Sequence, residues 1–416
     1  MKRKDIEIMA PAGSYDSLMA AVQGGADAVY FGIDQLNMRA GSTNNFTLSD
    51  LPEIVSICKK NGLKTYLTVN IVVFDREMVQ MRQLIDEAVR CGISAIIASD
   101  MAAISYAIKA GAEVHLSTQV NVTNTEAVEF YSRFADVIVL ARELSLDQVW
   151  VICNHIRENN IKGPSGNLVK IEVFIHGALC MAVSGKCYLS LHENNTSANR
   201  GTCYQTCRKS YIVTEKETGH ELEIDNEYIM SPKDLCTIGF LNKIIDSGVR
   251  VLKIEGRARP AEYVRTVTQC YNEAINAIIE GTYTEEKISV WREKLATVFN
   301  RGFWNGYYLG QRLGEWSNRY GSSATKTKVY LGKITNYFGK LNVAEIKLEN
   351  GDLKKGDTIL ITGPSTGAIE YITDEIRVAL KPVEEAKKGE LCSIPVPEFL
   401  RRSDKVYLMV DSGVGK

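Results

Sequence analysis

One phrase recurs through the first 257 residues: a short, nearly continuous apolar run, then a segment with helical periodicity. The runs are IEIMAPAG (Ile6 to Gly13), ADAVYFG (Ala26 to Gly32), LKTYLTVN (Leu63 to Asn70), SAIIASD (Ser94 to Asp100), EVHLSTQ (Glu113 to Gln119), DVIVLAR (Asp136 to Arg142) and KIEVFIHG (Lys170 to Gly177). Helical periodicity separates them, as in SYDSLMAAVQGG, MVQMRQLIDEAVRCG, TNTEAVEFYSRF and SLDQVWVICNHI. A run that is apolar almost throughout suits a parallel strand buried on both faces. Strict alternation over this length restricts the chain to an α/β fold. An eighth run, RVLKIEGR (Arg250 to Arg257), follows a long insertion and the segment DLCTIGFLNKIIDSG, which reads as a helix. Eight β/α units predict a (β/α)8 TIM-like barrel, regular or distorted, with its active site at the C-terminal ends of the strands. A doubly wound open sheet is the alternative, but no G-x-G-x-x-G follows the first strand.

The barrel is expected over residues 1–282, with a cysteine-rich insertion at about 177–248. PAEYVRTVTQCYNEAINAII reads as a long amphipathic helix with Pro260 near its start, and EEKISVWREKLATVF as another. The second lies in a helical, then aromatic and Gly-rich connection over 283–328. From Val329 the texture changes to short alternating runs broken by Gly, Asn and Asp turns, which predicts a small β-barrel over 329–416.

Lys plus Arg number 49 and Asp plus Glu 50, a net charge of −1, so any nucleic-acid binding must use a local patch. The N-terminal apolar run is too short for a secretory signal, and no stretch of about 20 apolar residues occurs, so a cytoplasmic protein without membrane contact is expected. In a reducing compartment a tight cysteine cluster binds metal or does chemistry. Four of the ten cysteines, Cys180, Cys187, Cys203 and Cys207, form such a cluster. Three readings are open: an iron–sulfur cluster, structural zinc, or a cysteine nucleophile with His176 as its base. The bland alternative is four inert thiols. The other six cysteines read as small buried hydrophobes, with Cys236 the least secure.

The strand ends carry Arg39, Asn70, Gln119, Arg142, Lys253 and Arg257, candidates for substrate binding, and His176 and Glu255, candidates for catalysis. In a barrel they would converge on one mouth. Singly, each could equally cap a helix or satisfy a loop. Together the four cations suit an anionic substrate, because Arg grips carboxylate or phosphate with paired hydrogen bonds. Hydrolase signatures are missing: there is no H-E-x-x-H and no G-x-S-x-G.

The stretch E-x-F-x-x-G-A-L-C-x4-G-x-C-x-L-S, from Glu172 to Ser190, resembles the signature of the collagenase-like peptidases, peptidase family U32. APAGSYDSLMAAVQGGADAVYFG, the NMRA segment at Asn37 to Ala40, and KIEGR at Lys253 to Arg257 fit it too. The likeness spans roughly residues 5–310, and the longer members carry a C-terminal barrel. The family was named for a protease without assigned catalytic residues. Other members are iron–sulfur proteins that hydroxylate RNA bases or a quinone precursor without molecular oxygen as cosubstrate. The architecture is similar to the prephenate-dependent tRNA hydroxylases that make 5-hydroxyuridine at the wobble position. The resemblance implies a [4Fe-4S] cluster on Cys180, Cys187, Cys203 and Cys207, with zinc the alternative metal. It implies tRNA, through its anticodon loop, as a partner, prephenate or another small dicarboxylate as cosubstrate, and admits a related partner subunit. Arg200, Arg208, Lys209, Arg401 and Arg402 become candidate backbone contacts. Tyr30, Tyr66 and Tyr188 become candidate stacking partners, with core packing the alternative for each. A peptidase of unassigned type, or a zinc-stabilised RNA-binding protein, would be the competing functions.

Overall fold

The computed structural model describes residues 1–41, 45–214, 216–219, 221–222, 230–311 and 314–413. The recurring apolar runs are strands β1 (Glu7–Pro11), β2 (Ala28–Gly32), β3 (Lys64–Val69), β4 (Ala95–Ala98), β5 (Val114–Leu116), β6 (Val137–Val139) and β7 (Lys170–Gly177). Each pairs in parallel with the next. Two further strands follow, β8 (Asp234–Cys236) and β9 (Val251–Ile254). β9 is parallel to β7 on one side and to β1 on the other, which closes an eight-stranded TIM-like barrel.

The barrel interior is filled by Met9, Ala28, Tyr30, Tyr66, Ala95, Ile97, Val137 and Val251. Small residues at 28 and 95 leave room for the two tyrosines. The larger apolar layer lies outside, between strands and helices. There α1 (Tyr15–Gly24), α2 (Leu51–Lys60), α3 (Met78–Cys91), α4 (Met101–Lys109), α5 (Thr125–Ser132) and α6 (Leu146–Glu158) cover the sheet. In α3 the buried positions are Met81, Leu84, Ile85 and Ala88, the i, i+3, i+4, i+7 stripe of an amphipathic helix. Burial of each large apolar side chain in such a stripe contributes about 2 kcal/mol. The helices start where the sequence offers an oxygen: Ser14, Asp100, Asn124 and Ser145 each accept a backbone N–H of the first turn.

One expectation fails in the insertion. DLCTIGFLNKIIDSG is not a single helix: Asp234–Cys236 is strand β8, antiparallel to the end of β7, and only α8 (Leu241–Asp246) is helical. Cys236 is buried in that strand. Of the other five scattered cysteines, four are buried and Cys91 is half-exposed. After β9 come α9 (Ala261–Glu280), entered through Pro260, and α10 (Glu285–Thr297).

The C-terminal domain begins with the strand Lys326–Phe338, three residues before the expected boundary. Its main sheet is antiparallel and eight-stranded, with its own core, including Leu331, Ile346, Ile361 and Val406. It docks on α1 and α9. Gln23 Nε2 donates to Thr366 O (2.8 Å), Ala368 N donates to Gln23 Oε1 (3.0 Å), and Lys328 Nζ meets Glu262 Oε1 at 2.7 Å. No helix among the described residues is long and apolar enough to cross a membrane.

Candidate functional site

At the C-terminal ends of the strands lies a cavity of about 670 Å³. Its floor is polar and tightly wired. Arg257 Nη1 donates to Asn37 Oδ1 (3.0 Å) and Thr68 Oγ1 (2.9 Å). Gly32 sits so close that a Cβ there would lie 2.7 Å from Arg257 Nη1. Asn70 Nδ2 donates to Ser117 Oγ and Gln119 Oε1, both at 3.3 Å, and Met38 N donates to Asn70 Oδ1 (3.2 Å). Burial above all, then the neighbouring Arg39, lowers Arg257 to about 10, still a cation at neutral pH. A buried cation without a carboxylate partner is costly, and an incoming anion would offset that cost.

Two ion pairs flank this floor. Arg39 Nη2 meets Glu255 Oε1 at 2.8 Å. Lys253 Nζ meets Glu172 Oε1 at 2.7 Å, and lies 4.7 Å from the Tyr30 ring centroid. Burial lowers the Lys253 pKa, against the pull of Glu172. Arg142 lies 4.1 Å from the Phe174 ring centroid; its Nη1 donates to Ala178 O (3.2 Å), while its buried Nε–H has no acceptor among the described residues. All six expected substrate-binding residues, Arg39, Asn70, Gln119, Arg142, Lys253 and Arg257, therefore line one cavity, with Glu255 among them.

The cysteine loop forms the opposite wall. Cys180, Cys187, Cys203 and Cys207 all line the cavity, beside Leu179, Met181, Leu189 and Ala198. The loop is held at several points. Asn121 Nδ2 donates to Ser184 O (3.2 Å), and Tyr204 N donates to Ser190 Oγ (3.0 Å). Arg200 pairs with Glu77, donates to Val72 O and packs 4.1 Å from the Phe74 ring centroid. Arg208 is buried and donates to Leu179 O (2.6 Å), Ser231 Oγ (3.0 Å) and Pro232 O. Burial, chiefly, raises the Cys207 thiol to about 11, and the other three cysteines add to the shift. Metal binding there must therefore displace a proton. Among the described residues no three His, Cys, Asp or Glu side chains converge tightly enough to hold a single metal ion. Tetrahedral zinc would need its thiolates about 3.8 Å apart. Four thiols beside apolar side chains are a donor set that either a thiolate-bound cluster or a thiolate-bound zinc could use.

Several expectations are corrected. His176 is not at the mouth. It is 1% exposed, and its ring faces Tyr263, Tyr271 and Phe303. A β-bulge is the reason: the register between β7 and β9 shifts at Lys253/Ile254, so Phe174 faces the cavity and His176 turns outward toward α9. Burial lowers its pKa to about 3, so it is a neutral core side chain. Arg200 and Arg208 are structural anchors rather than free backbone contacts, whereas Lys209, Arg401 and Arg402 are exposed. Tyr66 is buried and donates to Glu7 Oε1 (2.7 Å), outside the cavity lining. Tyr30 is in the core and also lines the cavity, and Tyr188 is 76% exposed without lining it. Sequence reasoning missed Arg259, Arg301, Arg319, Tyr204 and Tyr320, which also line the cavity. The alternation RAR at 257–259 was the available signal for Arg259.

A collagenase of Porphyromonas gingivalis is 62% identical over 407 residues, 98% of each chain. The tRNA hydroxylation protein P1 of Bacillus subtilis is 34% identical over 89% of this chain and 88% of its own. A 23S rRNA 5-hydroxycytidine synthase of Escherichia coli is 36% identical over 74% of this chain, which matches only 46% of that longer protein. The profile of peptidase family U32 matches residues 13–318, so the chain belongs to that family.

Proposed function

We propose that this chain is an RNA-modifying hydroxylase that carries a thiolate-bound iron–sulfur cluster at the barrel mouth. The carrying observation is that, among the described residues, four cysteines and nine Lys or Arg side chains line one cavity with a single carboxylate, Glu255. That surface favours a polyanion, and relatives at 34% and 36% identity are named for tRNA hydroxylation and for rRNA 5-hydroxycytidine synthesis. The finer reading is hydroxylation of the wobble uridine of tRNA to 5-hydroxyuridine, in a cytoplasmic protein.

Cys180, Cys187, Cys203 and Cys207 would hold the cluster, which supplies electron transfer beside the base. Arg142 and Arg257 would hold a small dicarboxylate, prephenate being the expected one. Arg39 keeps Glu255 ionised, which makes Glu255 a hydrogen-bond acceptor rather than an acid. Tyr30 and Phe174 would form part of the cavity wall beside the bound base.

The test is anaerobic purification followed by iron, sulfide and zinc analysis, with tRNA from a deletion strain assayed for 5-hydroxyuridine. About four irons and four sulfides per chain, lost together with any of the four cysteines, and missing 5-hydroxyuridine are expected. Stoichiometric zinc without sulfide, or unchanged tRNA, would overturn the reading.

The 62%-identical collagenase favours a peptidase as the second reading. Among the described residues the cavity lining includes no histidine and one carboxylate, which is bound to Arg39, so they supply no nucleophile–base pair there. Hydrolysis of gelatin that disappears on Cys180→Ser while metal content persists would favour the peptidase.

A further inference from the structure

Two large exposed rings stand on the cavity rim. Tyr204 is 59% and Tyr320 72% exposed, yet both line the cavity. They come from distant segments: Tyr204 from the cysteine loop, Tyr320 from the connection that precedes the C-terminal domain. A single exposed tyrosine is ordinary. Two from separate segments at one opening, beside Lys209 and Arg319, make a combined aromatic and cationic surface.

Hydrogen bonds anchor the backbone at or near both rings. Tyr204 N donates to Ser190 Oγ (3.0 Å). The Tyr320 segment is tied down through Ser317, whose N donates to Ser231 O (2.7 Å) and whose Oγ donates to Arg319 O (3.0 Å). Preorganised rings lose little freedom when a partner stacks on them.

The charge of the lining selects among partners. Among the described residues, nine basic side chains against one acid favour a polyanion over a neutral peptide. Rings that accept stacking need unpaired bases, because bases inside a duplex already stack on each other.

We propose that Tyr204 and Tyr320 are a stacking rim for unpaired RNA bases flanking the nucleotide that enters the cavity, with Lys209 and Arg319 along its phosphates. This rests on the RNA reading above and deepens it. The substrate is a looped or single-stranded RNA segment, gripped by its base faces and not by duplex shape.

The test is direct binding, read by fluorescence anisotropy on the full-length protein purified without oxygen. The probes are a labelled RNA hairpin with an unpaired loop and a fully paired RNA duplex of the same composition. Wild type should bind the hairpin at least tenfold tighter. Tyr204→Ala and Tyr320→Ala should each weaken hairpin binding about tenfold and leave duplex binding nearly unchanged. Tyr204→Trp and Tyr320→Phe should retain hairpin affinity, since they keep a ring. Equal affinity for hairpin and duplex, alanine variants that bind like wild type, or ring-preserving variants that bind as poorly as alanine would each overturn the proposal. Binding is read without turnover, so its failure is separable from that of the hydroxylase reading. A deletion strain with normal 5-hydroxyuridine would sink the uridine assignment and leave the rim standing. Silent tyrosine variants would sink the rim and leave the hydroxylase standing.

Discussion

At Glu255 burial by itself would raise the carboxyl pKa, and the guanidiniums of Arg39, Arg259 and Arg142 more than reverse this, holding it at about 2. A carboxylate depressed in the folded state stabilises the fold above its unfolded pKa, near 4.5, and that contribution is lost as pH falls toward 2. Glu255→Gln should therefore cost on the order of 2 kcal/mol in urea denaturation at neutral pH, less than for a fully buried pair because Arg39 is a quarter exposed. The deficit should shrink between pH 4.5 and 2; a constant deficit would mean that the charge is not what matters. His176 gives a contrasting case. Its folded pKa of about 3 lies below the unfolded value of about 6.5, so its contribution is complete above pH 6.5 and is lost as pH falls toward 3. His176→Phe should flatten the fall in stability over that window and leave RNA modification intact. Loss of modification in a stably folded variant would restore a catalytic role. Residue type alone could not separate the two: both end a strand, and only the bulge in β7 decides which faces the cavity.

The elements differ in how much of them the sequence announces. The eight barrel strands were legible because a parallel strand covered on both faces must be apolar nearly throughout, and Ala95–Ala98 or Val137–Val139 can be little else. Strand β8 was not, because Asp234–Cys236 exists only through its partners Gly177, His176 and Phe303, distant in sequence. The site was half legible. The strand-end cations converge as barrel geometry requires, but Tyr204, Arg319 and Tyr320 sit in segments with little periodicity. Those segments owe their shape to single anchors, and Arg208 is the main one in the cysteine loop. It ties Leu179 O, next to Cys180, to Ser231 and Pro232 across the insertion. Arg208→Ala leaves those buried acceptors without a donor, costing about 1–3 kcal/mol for each, and most of that cost falls on the loop. We expect iron and sulfide to drop and limited proteolysis to cut within 178–212, while far-ultraviolet circular dichroism holds. Unchanged metal content would show that the cysteines are positioned without Arg208.

Across the whole molecule charge is balanced to −1, yet among the described residues the cavity lining holds nine cations and one acid. The asymmetry is partly neutralised from behind: Lys253, Arg301 and Lys209 meet Glu172, Asp234 and Glu193, which lie outside the lining, and Arg39 meets Glu255 within it. Arg208 is spent on carbonyls and a hydroxyl. Among the described residues Arg142, Arg257, Arg259 and Arg319 have no carboxylate within 4.0 Å. Arg257 is buried in the floor, which suits a small anion, whereas the half-buried Arg319 and the exposed Lys209 are placed for a chain of phosphates. An unpaired strand that engages about three phosphates should give a slope of about −2 in log K against log salt concentration. Arg319→Gln should reduce the magnitude of that slope by about 0.7, while Arg257→Gln should leave it nearly unchanged and act on the small-anion step instead. Hairpin binding that ignores salt between low and physiological ionic strength would mean that the cations serve the floor ligand alone. A slope that falls equally in both variants would mean that rim and floor grip the same polyanion.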